Sequence, residues 1–92
     1  MIVRWTRAAT GDLEHICDYT EGRFGTTQAR RTAIAIYETA DSLKAIPNSS
    51  RPGRKPATRE ITVIGLPFVI IYRVKKEAAE IVRILHGAQQ WP

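Results

Sequence analysis

Two periodicities divide the chain. Between Ala9 and Leu43 apolar and small residues recur every three or four positions, while β-branched and aromatic residues run together from residue 60 onward. The first pattern is that of amphipathic helices and the second that of strands. Ala9, Leu13, Ile16 and Thr20 form one helical stripe, with Asp12, Glu14 and Asp18 off it. Thr6 precedes the stripe as a plausible N-cap, and Phe24-Gly25 ends it. Thr26 or Thr27 restarts a helix whose stripe is Ala29, Ala33, Ile36, Ala40 and Leu43, and Pro47 stops it near Ile46. Two such helices with so short a link predict an antiparallel helical hairpin.

A β-prone segment, Ile2 to Trp5, opens the chain. Residues Asn48 to Thr58 read as a loop from Asn-Ser-Ser, Pro52-Gly53 and Pro56. Three strands follow, Glu60–Ile64, Phe68–Val74 and Glu80–His86, joined by hairpin turns at Gly65-Leu66-Pro67 and Lys75-Lys76-Glu77. The expected fold is α+β in the order β-α-α-β-β-β. An antiparallel meander, joined by the first strand, is covered on one face by the hairpin. Strand parity would place Arg83 with Ile81 and Leu85, and His86 with Val82 and Ile84 on the other face. A regular strand therefore separates Arg83 from His86; only a bulge or an early strand end would unite them.

The 92 residues fit one domain spanning 1–92. Composition is that of an ordinary globular protein. The net charge is +5. Residues 1–47 hold six basic and six acidic side chains, whereas residues 48–92 hold eight basic against three acidic. The excess lies wholly in the second half and suits an acidic or polyanionic partner there, unless it is simply a solvated face. The single cysteine, Cys17, excludes a disulfide framework and reads as a small hydrophobe inside a helix. Two histidines and one cysteine, scattered, predict no metal site and no cofactor. No apolar run is long enough for a signal or a membrane span, so a cytoplasmic protein with no membrane partner is expected.

An ordered set of residues carries a resemblance. Trp5, Ala9, Asp12-Leu13, Ile16 and Tyr19 come first, then Pro47, Gly53-Arg54 and Arg59-Glu60. Pro67-Phe68, Tyr72-Arg73, Ile81 to Leu85, His86-Gly87 and Trp91-Pro92 complete it. Together they resemble the RelE/ParE superfamily of toxins, closest to the ParE-like branch, over essentially the whole chain. The resemblance implies the toxin of a type II toxin–antitoxin, plasmid-stabilisation system, neutralised by a cognate antitoxin. It implies one of two targets, DNA gyrase for ParE-like toxins or mRNA in the ribosomal A site for RelE-like ones. A relative that only binds its antitoxin is a third class. Fold does not decide among them.

Cleaving RNA through its 2′-hydroxyl needs an acid, a base and cations at the developing phosphorane charge. Arg59, Arg83 and His86 are the candidates for that chemistry if the chain is a ribonuclease. A gyrase poison needs only a surface, for which Arg51, Arg54, Lys55, Arg73 and Trp91 are the candidates. Each has a plainer reading: cross-strand ion pairs for Arg59-Glu60 and Tyr72-Arg73, a strand-end hydrogen bond for His86, a packed C-terminal lid for Trp91. Tyr19, Ile34 and Tyr37 lie off the core stripes, and surplus apolar groups there want a cover. They are the expected antitoxin contacts.

Overall fold

The computed structural model describes residues 1–48, 50–87, 89 and 91. Strand β1 is Ile2–Trp5, helix α1 Arg7–Phe24 and helix α2 Thr26–Ser42. Strands β2 (Arg51–Pro52), β3 (Arg59–Thr62), β4 (Phe68–Lys75) and β5 (Ala78–His86) follow. The sheet has five strands in the order β1-β5-β4-β3-β2. The meander β3-β4-β5 is antiparallel as expected, and β1 adds to it in parallel beside β5. The one element missing from the sequence reading is β2, a two-residue strand formed by Arg51 and Pro52 on Glu60 and Arg59 within the expected loop. No run that short has a periodicity to detect.

Helix α1 starts where β1 stops, and Thr6 makes the joint. Its hydroxyl oxygen accepts from the Ala9 amide (3.1 Å) and donates to the Val82 carbonyl (3.0 Å), so the N-cap also pins the helix to β5. Gly25 alone separates the helices, at φ 91°, where a side chain would be strained. The second helix gives way to turns that run on to Ile46, and Ser42 accepts from both Ala45 and Ile46 (3.2 Å each). Its buried stripe is Ala29, Thr32, Ile36 and Ala40, continued by Leu43. Thr32 therefore takes the place expected for Ala33, because the 3.6-residue turn brings both near the sheet and only one can be central.

The helices cover one face of the sheet. Ala9, Leu13, Ile36, Ala40 and Leu43 meet Val63, Ile70, Tyr72, Ala79, Ile81 and Ile84 there. Burying each large aliphatic side chain contributes roughly 1.5–3 kcal/mol. Tyr72 is fully buried, yet its hydroxyl donates to the Pro47 carbonyl at 2.7 Å and meets the Ser50 hydroxyl. The opposite face carries a smaller cluster, Val69, Ile71 and Leu85, against which Val82 and Trp91 pack.

One irregularity overturns the strand-parity expectation. Ile71 pairs with Arg83 but Tyr72 with Ile81, which leaves Val82 outside the register. This bulge shifts parity by one. Ile81 and Ile84 both face the helices, while Leu85 and Val82 belong to the opposite cluster. Residues 83–86 pair regularly with β4, so Arg83 and His86 still point to opposite faces. Among the described residues, no helix is long and apolar enough to cross a membrane.

Candidate functional surfaces

The basic loop between β2 and β3 is held by a carboxylate. Gly53 sits so close to Thr58 that an added Cβ would lie 2.1 Å from its Oγ1. Its amide donates to the Thr58 carbonyl at 2.8 Å, closing the loop on itself. Glu60, 4% exposed, accepts from Arg51 Nη2 at 3.2 Å, from the Arg54 amide at 2.9 Å and faces Arg54 Nε at 3.2 Å. A buried carboxylate is tolerable only when so satisfied. Arg51 and Arg54 thus spend part of their charge on Glu60. Lys55 and Arg59 have no carboxylate within ion-pair distance among the described residues.

The tail is tied to the same loop. Arg54 Nη1 donates to the Gln89 carbonyl at 2.8 Å, and Lys55 Nζ stands 5.5 Å from the centre of the Trp91 ring. Trp91 itself lies on Val69, Ile71, Val82 and Leu85. The expected target contacts Arg51, Arg54, Lys55 and Trp91 are therefore brought together. Arg73 stands apart on β4, its Nε donating to Glu80 Oε1 at 2.5 Å. That bond, ahead of the nearby charges of Arg73, Lys75 and Arg4, holds the Glu80 carboxyl below the usual carboxylate range.

The three candidates for RNA cleavage are not brought together. Arg59 Nη1 donates to the carbonyls of Asn48 (3.3 Å) and Ser50 (3.0 Å), bracing the chain before β2. Arg83 is gripped by Asp12 of α1: Nε to Oδ2 at 2.7 Å and Nη2 to Oδ1 at 2.9 Å. The Ile84 amide also donates to Asp12 Oδ2, at 2.9 Å. The physical reason lies in the sheet edge. β1 ends opposite Ile81, so the next stretch of β5 lacks a neighbouring strand, and the Asp12 carboxylate takes its place. This hydrogen-bonded pair raises the Arg83 pKa above its ordinary value. His86 is exposed at the end of β5, edge-on to Phe68 with ring centres 6.1 Å apart.

On the hairpin, Tyr19 (57% exposed), Ile34 (48%) and Tyr37 (52%) lie open as expected. The Tyr37 ring meets Trp5 with centroids 5.3 Å apart, and Arg23 stands 5.5 Å from the Tyr19 ring. Phe24, at the end of α1, is exposed too, at 66%, and was readable only as a helix terminus. Cys17 is half-buried against the core; burial, then Asp18 and Glu21, push its thiol pKa up, away from the range of a nucleophile. The hubs that sequence reasoning missed are Asp12 and Glu60. Both stood in dipeptides that carry the resemblance, but nothing in the sequence names their partners.

The comparisons with known proteins all name toxins or toxin–antitoxin systems, divided between ParE and RelE names. The family described as the ParE toxin of the type II toxin–antitoxin system parDE matches residues 3–91. Y4kP of Sinorhizobium fredii, which is named as a toxin, is 37% identical over 98% of this chain and 92% of its own. Toxin RelE2 of Caulobacter vibrioides is 39% identical over 95% of this chain and 96% of its own. Among solved structures, the chromosomal ParDE system of P. aeruginosa superimposes with a TM-score of 0.86 at 32% identity, covering 91% of this chain and 92% of that one. The RelBE2 toxin–antitoxin complex of Mycobacterium tuberculosis gives 0.69 at 22% identity over 96% and 92%, a likeness of fold alone.

Proposed function

Because the chain belongs to the ParE toxin family of type II toxin–antitoxin systems, we propose that it arrests growth by binding DNA gyrase when its antitoxin is absent. The observation that carries this reading is the dispersal of Arg59, Arg83 and His86. The Arg83 fork is filled by Asp12, Arg59 is turned onto backbone carbonyls, and His86 lies on the opposite sheet face from Arg83. Proton transfer to and from a ribose–phosphate would need such groups around one reacting atom. Binding needs only a shaped surface, and the loop–tail unit of Arg51, Arg54, Lys55 and Trp91 supplies cations around a half-buried indole, with Arg73 apart on β4. The ribosome-dependent ribonuclease reading is the second one, favoured by the similarity to a protein named RelE2.

The partner that silences the toxin is an antitoxin. The solved relatives are toxin–antitoxin systems, and the exposed Tyr19, Ile34 and Tyr37 offer an amphipathic segment an aromatic surface on the helical hairpin.

Two assays on the purified toxin test the target: supercoiling by gyrase, and cleavage of mRNA on programmed ribosomes. Inhibited supercoiling with intact mRNA is expected, and a Lys55→Ala variant, which leaves the Arg51 and Arg54 pairs with buried Glu60 intact, should weaken the inhibition while keeping antitoxin binding. Cut mRNA with unaffected supercoiling would sink the gyrase reading.

A further inference from the structure

The free edge of β1 is the least finished part of the fold. Among the described residues, β1 ends the sheet and has a neighbour on one side only. The amides of Ile2 and Thr6 donate towards β5, to the Glu77 carbonyl (2.9 Å) just before it and to the Ile81 carbonyl (3.0 Å) within it. Backbone groups alternate sides along a strand, so the N–H and C=O of Val3 and Trp5 point away from β5, along the bare edge. Such an edge is a template for another strand. Natural sheets blunt such edges with proline, bulges, short strands or like charges. This four-residue strand carries no proline or bulge, the charges beside it are mainly cations, and Ile2 is 57% exposed, so an acidic strand is the one it admits.

The surroundings of that edge have a definite chemistry. A groove runs past it, lined by Ile2, Arg4, Lys75, Lys76 and Glu77, three cations against one carboxylate. Arg4 sits opposite Glu80 in the register and so lies on the open face of the sheet. Val3 and Trp5 lie on the helix face, where the Trp5 ring meets the exposed Tyr37. The edge is therefore continuous with the aromatic surface of α2.

We propose that the outer edge of β1 receives an extended acidic segment of the neutralising partner as a sixth strand. This rests on the toxin–antitoxin reading above. The segment alternates in character. Its carboxylates lie on the open face beside Arg4, Lys75 and Lys76; its apolar side chains lie on the helix face beside Trp5 and Tyr37. Main-chain bonds to Val3 and Trp5 supply affinity and the alternation supplies register.

Amide hydrogen exchange on the toxin, alone and in complex with its antitoxin, tests this. The Val3 and Trp5 amides should slow by at least about tenfold in the complex, as paired edge amides do. Val3→Pro removes one outward donor and leaves the β5 ladder intact, since an edge strand tolerates proline on its open side. It should weaken antitoxin binding about fivefold, the worth of one main-chain hydrogen bond. Arg4→Glu, exposed and outside the core, should weaken it by a similar factor that shrinks as salt is raised. Free exchange of Val3 and Trp5 in the complex would overturn the proposal. If Tyr37→Asp then still abolished binding, the antitoxin reading would stand without it. Failure to form any complex would remove both.

Discussion

The two faces of the sheet hold the chain together by different means. On the helix-covered face, aliphatic side chains from both helices interlock with those of β3, β4 and β5, and Asp12 reaches from α1 to close the β5 edge. On the open face a small apolar cluster is covered by one tryptophan, and charged pairs occupy the rest. The first face is bound mainly by a large apolar core of groups distant in sequence, with the part-exposed Asp12–Arg83 pair at its rim. The second holds a smaller buried cluster, Val69, Ile71 and Leu85, under a half-buried Trp91 and beside ion pairs that solvent reaches. The larger buried apolar cluster therefore lies on one side, and the loop–tail residues proposed to meet a target lie on the other. Surfaces that must exchange partners are drawn from the less stable parts of a fold.

The sharpest way to break this contrast is Asp12→Ala. It strips Arg83 of its partner and leaves the Ile84 amide uncovered. With Arg83 33% exposed, the full cost of an orphaned buried charge is discounted, and a loss of about 2 kcal/mol is expected in urea unfolding. If Arg83 serves as an anchor and not in chemistry, Arg83→Ala should lower stability by a similar amount and leave toxicity per folded molecule unchanged. Trp91→Ala comes next. Removing a half-buried cover from Val69, Ile71 and Leu85 should cost about 1 kcal/mol while abolishing the order of the loop–tail unit, seen as faster exchange at Arg54. Gyrase inhibition should fall more than stability does; a matched fall would erase the contrast between the faces.

The smallest effect is expected at Glu80. Its pKa is lowered in the folded chain, so the stability it contributes is intact above the ordinary carboxylate range. That contribution is lost as pH falls through the lowered value. With Arg73 40% exposed the pair is screened, and Glu80→Gln should cost under about 1 kcal/mol near neutral pH. The acid side of the stability curve should flatten in the variant; an unchanged acid slope would show that the pair contributes nothing.

Sequence periodicity was a sound guide to the helical hairpin and the meander, because Leu13, Ile36 and Leu43 announce their burial by spacing alone. It could not announce Val82, whose displacement from the register depends on how β5 meets β4 and not on any local residue type. The candidate surfaces divide the same way. Exposure of Tyr19, Ile34 and Tyr37 follows from position on a helix. The engagement of Arg83 by Asp12, and of Arg51 and Arg54 by Glu60, does not. These pairs are set by tertiary approach across as many as 71 positions, and charge counts treat every arginine alike.

The parallel pairing of β1 with β5 also dictates an order of events during synthesis. The Thr6 hydroxyl is bonded to the Val82 carbonyl 76 positions later, and the Trp5 strand residue is in register with Ile81. Contacts so non-local form late. A nascent chain can build its hairpin early, but β1 has no neighbour until β5 leaves the ribosome. The β1 edge of the sheet is therefore assembled only after β5 has been made, however early the hairpin forms.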